Sequence, residues 1–261
     1  MATLPRSAID EYTRQLHLVS DGMKQALAAE LETIDWTDMA AAKTRVLEVM
    51  QLYCGGATDA AAVLASNFYS LAREYATGLT YDALALSGRV PEATTAAVES
   101  FFAPETATPE SIKSNLMQRL GYEVSRAAGD TVFINGQHDR RKPTYARVPS
   151  GGETCAFCLM LASRGFVYRT SRGAGFLNHY HDNCDCRVVP SWASMTIEDY
   201  DPQAIYDQWQ DAIDTEARAR AERKGTDESE ERAAIMGAYR KSASAAKGRA
   251  NLKAAEKAAN A

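Results

Sequence analysis

Four cysteines fall between residues 155 and 186, and their spacing constrains this chain more than any other feature. They read Cys155-Ala-Phe-Cys158 and, further on, His181-Asp-Asn-Cys184-Asp-Cys186. Two cysteines separated by two residues can turn both sulfurs toward one point, and a second Cys/His cluster can complete a tetrahedral zinc site. A structural zinc takes four ligands, and the sequence offers more than four. The expected set is Cys155, Cys158, His181 and Cys186, with Cys184 the substitute for Cys186 and His179 a further spare. Cys184 and Cys186, two apart in an extended run, share one face, and both together with His181 would exceed four ligands. Sulfur-rich coordination closes the shell and leaves no position for a reactive water, so the zinc is expected to be structural. It would contribute on the order of 10 kcal/mol to folding. The plainer readings of the same residues are reduced buried thiols or a disulfide between one pair. Cys54, beside Gly55 among helical apolar residues, reads as a packing residue.

The stretch around the cluster looks unlike the rest of the chain. TVFING after Gly129, then TYARVPSGGE, GFVYRT and CRVVPSW, are short β-branched and aromatic runs separated by Gly, Pro, Asn and Asp, which predicts small strands and turns. Only 155–164 reads as helical here. Such a loop-rich unit holds little apolar bulk of its own, and units of that size generally need a metal or a cross-link.

The first half reads as successive helices. Ile9, Tyr12, Leu16, Val19, Met23 and Leu27 recur at three- and four-residue intervals, predicting a helix near 7–32 with Ser7 and Asp10 at its start. Thr37 is expected to cap a second helix carrying Val46, Val49, Met50 and Tyr53 and ending at Gly55-Gly56. Thr58 or Asp59 would start a third, with Ala61, Leu64, Phe68, Leu71 and Tyr75 on one face and Gly78 closing it. A fourth covers 91–102, and a fifth follows Pro109 with Ile112, Leu116 and Leu120. Beyond Pro202 helical spacing returns with Ile205, Trp209 and Ile213. Residues 216–261, rich in Ala, Arg, Lys and Glu, read as an extended helix that orders against a partner.

Charge separates the two ends. Residues 232–261 hold seven Lys or Arg and one acid, about +6, so an overall net charge of −5 leaves about −11 for residues 1–231. Such a tail suits packaged DNA or an acidic partner surface. No run of 18 apolar residues predicts a membrane span, and the N-terminus lacks the apolar core of a secretory signal, so no membrane association is expected and synthesis is expected in the cytoplasm.

The expected fold class is α+β, mainly α-helical: a helical body over 1–129, a zinc-stapled α+β module over 130–192, and a helical C-terminal segment over 193–261 with its basic tail. Catalysis is not expected and no catalytic residue is assigned. His179, His181, Asp182 and Asp185 suggest a thiol hydrolase or a metal nuclease, but those readings compete with zinc for the same residues. The chain has no Gly-x-Ser-x-Gly and no Gly-rich phosphate loop. His138, Arg140, Arg141 and Lys142, with Arg147, Arg164, Arg169, Arg172 and Arg187, make 137–190 net basic, either as a solvated face or as a surface for phosphates.

VPSGGETCAFCLMLASRGFVY followed by NHYHDNCDCRVVP resembles the signature of phage minor head proteins of the Mu F type, in the variant of actinobacterial tailed phages and prophages. In that pattern a Cys-x-x-Cys precedes a His-x-x-Cys-x-Cys ending close to Pro, and Cys155, Cys158, His181, Cys184, Cys186 and Pro190 fill those places. The match spans about 148–190; the broader pattern often has Pro and Arg where Asp182 and Asp185 stand here. The resemblance implies a virion component, encoded beside the portal gene and present in few copies in the head interior or at the portal vertex. It implies the portal and major capsid proteins as partners and a role in head assembly or DNA ejection. A zinc-stabilised nucleic-acid-binding protein and a phage hydrolase, such as a head maturation protease or nuclease, are the alternatives.

Overall fold

Long helices built on the apolar stripes form the body of this computed structural model, which describes residues 2–88, 90–151, 154, 156–169, 186–192 and 195–239. In α1 (Arg6–Glu32), Ile9, Tyr12, Leu16 and Leu27 are buried, as their spacing predicts. Its start differs from the expected Ser7/Asp10 arrangement. Pro5 is the N-cap, no side chain caps the helix, and the Arg6 N–H instead donates to Glu198 Oε2 at 3.1 Å.

The two helices expected on either side of Gly55-Gly56 are one, α2 (Met39–Thr77), 39 residues long. Its cap is Asp38 rather than Thr37, the carboxylate accepting from the Ala40 and Ala41 amides at 3.0 Å each. Two helical glycines cost about 1 kcal/mol each relative to alanine. Here packing outweighs that cost: Gly55, Ala57, Ala61, Ala65 and Ala72 are buried along α2, and the helix continues through the pair although Gly56 itself is exposed.

The third departure lies in α4 (Pro109–His138), which begins at a Thr108/Ser111 capping box and runs across Gly129. TVFING, expected as a strand, is its last two turns. The β-branched and aromatic residues there are buried helix residues, Val132 and Phe133 among them, because tertiary packing overrides a strand preference worth about 1 kcal/mol. The expected junction at 129/130 therefore falls within one continuous helix. Between α2 and α3 (Pro91–Phe102), residues 79–88 run as an extended strap along α4. Asn135 holds the strap by both backbone groups of Leu84, at 2.8 Å each, and the Thr131 hydroxyl donates to Leu86 O. This explains why polar residues of α4 are buried and why its helical period is blurred.

The strand expectations for TYARVP and CRVVPS hold. β2 (Thr144–Pro149) and β3 (Cys186–Ser191) pair antiparallel, with Arg147 opposite Val188 and Pro149 opposite Cys186. GFVYRT contributes one bridge, Tyr168 to Tyr145. The short helix α5 (Ala156–Ala162) packs against β2. Near the N-terminus β1 (Thr3–Leu4) pairs parallel with β4 (Thr196–Ile197). Tyr145, Val148, Val188, Val189 and Trp192 belong to the same apolar core as the helices, so the ribbon draws on the body for its burial.

After the N-cap Asp201, α6 (Pro202–Lys224) runs to a left-handed Gly225 and residues 228–239 form a further helical stretch. That stretch folds back on its own chain: Arg232 pairs with Asp214, Ile235 is buried and Tyr239 lies beside Trp209. The part of 216–261 that is described thus makes intrachain contacts, where an extended helix ordered only against a partner was expected.

Candidate metal centre

The alternation of an antiparallel ribbon decides which side chains meet. Cys186 opens β3 opposite Pro149, and residues 147 and 149 of β2 point to the same face, so Arg147 stands diagonally across from Cys186 on one side of the ribbon. α5 presents Cys158 to that side. The Cys158 and Cys186 sulfurs lie 3.1 Å apart, both buried, although 28 residues separate them in the chain. Arg147, itself wholly buried, donates from Nε at 3.2 Å and from a terminal nitrogen at 2.7 Å to the Cys186 sulfur.

A guanidinium is always charged, and burying one requires an anion or several acceptors. Two N–H groups directed at one sulfur favour a thiolate there. Neither cysteine is in a disulfide, and nor is Cys54, which is buried within α2 as a packing residue should be. The pair lies well outside the ~2.05 Å of a disulfide. Zinc with bonds of about 2.3 Å in a tetrahedron holds its sulfurs about 3.8 Å apart, so a metal would spread this pair by about 0.7 Å. The donor chemistry fits: two buried sulfurs on a rigid helix and a rigid strand, one already receiving the N–H bonds that commonly orient a metal thiolate.

Cys155, His181 and Cys184, the other expected ligands, and the spare His179 lie outside the described residues. Among the described residues, no group of three or more His, Cys, Asp or Glu side chains is placed to hold a metal ion. Arg147, which spacing alone marked only as one of several basic residues, is the residue at the thiol pair that the sequence did not single out. Its signal was available in principle, since Arg at an inward position of a predicted strand demands a buried anion.

The ribbon is fixed to the body by a second arginine. Arg187 points to the other face, donating to Thr13 Oγ1 at 3.2 Å and lying 3.0 Å from His17 Nε2 on α1. Because a guanidinium only donates, that contact as a hydrogen bond requires His17 Nε2 to carry no proton. Thr13 passes the bond on to Ser150 at 2.9 Å. Below Cys186, burial pushes the Tyr168 phenol up to about 12, so it stays a neutral donor to Leu161 O.

Helical body, two-stranded ribbon and a buried thiol pair together define a mainly α-helical α+β protein with its sulfur chemistry held at a ribbon edge. The chain belongs to the VG15 protein family, a phage-related family whose model matches residues 3–212. That span covers the body, the ribbon and half of α6. Comparison with curated proteins and with solved structures found no match. Among the described residues no helix is long and apolar enough to cross a membrane.

Proposed function

We propose that this chain is a minor head protein of a tailed phage, located at the portal vertex or in the head interior, where it assists head assembly or DNA ejection. The observation that carries the reading is the meeting of Cys158 and Cys186 at a buried point capped by Arg147. These are two of the five Cys/His positions through which the sequence resembles Mu F-type proteins, and membership of a phage-related family supports the same direction. A structural zinc is part of the proposal. Cys158 and Cys186 would hold it, with the remaining places taken from Cys155, His181 and Cys184. When bound, the ion supplies a cross-link between α5 and the ribbon and performs no reaction. Arg147 balances the thiolate charge, while Arg187 and Thr13 hold the braced ribbon against α1.

The portal and major capsid proteins are the proposed partners, with the basic tail 232–261 directed to packaged DNA. Arg232 is already engaged by Asp214, so the tail acts through its other cations. Co-expression with the portal and major capsid subunits tests the reading. Heads purified on a gradient are expected to contain the chain in few copies. If assembled heads exclude it, and heads made without it package and eject DNA equally well, the proposal fails.

A further inference from the structure

Across this acidic protein, surface cations are mostly paired: Arg6 with Asp10, Arg14 with Glu11, Arg45 with Glu30, Lys113 with Glu32, Arg220 with Glu216 and Lys224 with Glu231. One corner departs from this pattern. His138, Arg140, Arg141, Lys142 and Arg169 are exposed and form no ion pair among the described residues. Asp139, the acid within this run, is turned inward to Arg73 and cannot neutralise them.

The corner contains a cavity of about 170 Å³ between the end of α4 and the ribbon, lined by Phe133, Gly136, Lys142, Pro143, Tyr145 and Arg169 among others. Its floor carries the second observation. Tyr145 is only 3% exposed, yet its hydroxyl has no hydrogen-bond partner among the described residues. That hydroxyl lies over Gly136 so closely that a Cβ there would sit 1.7 Å from it, which holds the O–H on the cavity floor. Burial raises the phenol, so it remains a donor across the ordinary pH range. Lys142 is held in a left-handed conformation, φ 41°, its ammonium donating to Gln137 O at 2.5 Å at the α4 C-terminus. The helix end contributes only about −0.5 of a charge. Two cations at the cavity and two further arginines beside it outweigh that.

We propose that this corner binds the phosphodiester backbone of a nucleic acid, one phosphate entering the cavity between Lys142, Arg169 and the Tyr145 hydroxyl. The volume is below the roughly 300 Å³ at which small-molecule pockets begin, so it suits a single anionic group and not a nucleoside. Arg140 and Arg141 continue the positive surface outward, which favours a chain of phosphates over a lone one. With no base-sized recess, the contact is independent of sequence. The inference goes beyond the head-protein reading and does not depend on zinc.

The test is fluorescence anisotropy of a short labelled DNA duplex with the full chain over a range of salt, alongside calorimetry with inorganic phosphate. K142Q/R169Q is expected to weaken the duplex about tenfold and to reduce the log–log salt slope by about 0.9, because the one phosphate that is no longer neutralised removes ~0.9 from the slope. Y145F is expected to weaken it several-fold with an unchanged melting temperature. Neutralising the tail cations Arg240, Lys241, Lys247, Arg249, Lys253 and Lys257 is expected to leave the effect of K142Q/R169Q intact. Unchanged binding by K142Q/R169Q overturns the proposal. So does inorganic phosphate binding that needs Lys142 and Arg169 while the duplex does not bind, since the site then takes free anions. Failure of co-assembly with portal would leave this result untouched, so the two readings are separable.

Discussion

Arg73 on α2 donates from Nε to Oδ2 of Asp139 at 2.7 Å, joining two nearly inaccessible charges from helices that are far apart in sequence. The same carboxylate accepts from Tyr69 and Trp192, each at 3.2 Å, and from the Arg141 amide at 2.8 Å. Asp139 therefore ties α2, the end of α4 and the residue after β3 at one point. Burial opposes its charge, but the Arg73 hydrogen bond, the Arg141 amide and the Tyr69 hydroxyl overcome that and hold the carboxyl below its usual range.

Removing one partner of this pair leaves the other buried and uncompensated, at a cost of about 3–5 kcal/mol. Urea unfolding of Arg73→Met is expected to show a loss of that size. The pH dependence follows from the lowered folded value. The stabilisation is complete above the unfolded carboxylate range near ~4 and is lost as pH falls through the lower folded value. Asp139→Asn is accordingly expected to flatten the acid limb of stability; an unchanged limb would remove Asp139 from this role.

Asp130 is expected to behave in the opposite sense. Burial pushes its carboxyl up to about 7 against the attraction of Arg126, and its Oδ1 has no hydrogen-bond partner among the described residues. Between about pH 4 and 7 the folded chain then holds a proton that the unfolded chain has released, so stability falls as pH rises through this window. Denaturation at pH 5 and pH 8 should show that loss in the native chain and a smaller one in Asp130→Asn.

Two glycines in helices make a contrasting pair. Gly22 in α1 has nothing within 4 Å of an added Cβ, so Gly22→Ala should stabilise by about 0.5–1 kcal/mol. Gly136→Ala places a methyl in the Tyr145 hydroxyl and should lower the melting temperature by several degrees. Thermal melts of both variants check the assignment of Gly136 as a close-approach residue.

For the thiol pair, elemental analysis of reduced protein is expected to give one zinc per chain. Cys158→Ser and Cys186→Ser should each lose the metal and destabilise the fold, with Cys54→Ala retaining it. Arg147→Met should hold zinc more weakly, by about 10- to 100-fold in chelator competition. Full zinc content in both Cys→Ser variants would exclude Cys158 and Cys186 as ligands.

Much of the architecture is legible in the order of residues. Ile9, Tyr12, Leu16 and Leu27 repeat at the helical period, Pro91 and Pro109 sit at helix starts, and alternation in TYARVP and CRVVPS marks strands, because these signals are local. Local signals mislead where distant packing competes with local preference. Gly55-Gly56 reads as a stop until the burial of α2 along its length carries the helix through it, and TVFING reads as a strand until a buried seam and a strap claim it as helix.

The same division holds for the sites. Residue order alone marked Cys158 and Cys186 as related, since paired short-range sulfur motifs carry their own geometry. It could not choose Arg147 over the other arginines, or turn Asp139 inward while leaving Arg140, Arg141 and Lys142 outside. Which face of a strand or helix end meets the core is fixed by the partner packed against it, and that partner lies tens of residues away in the chain.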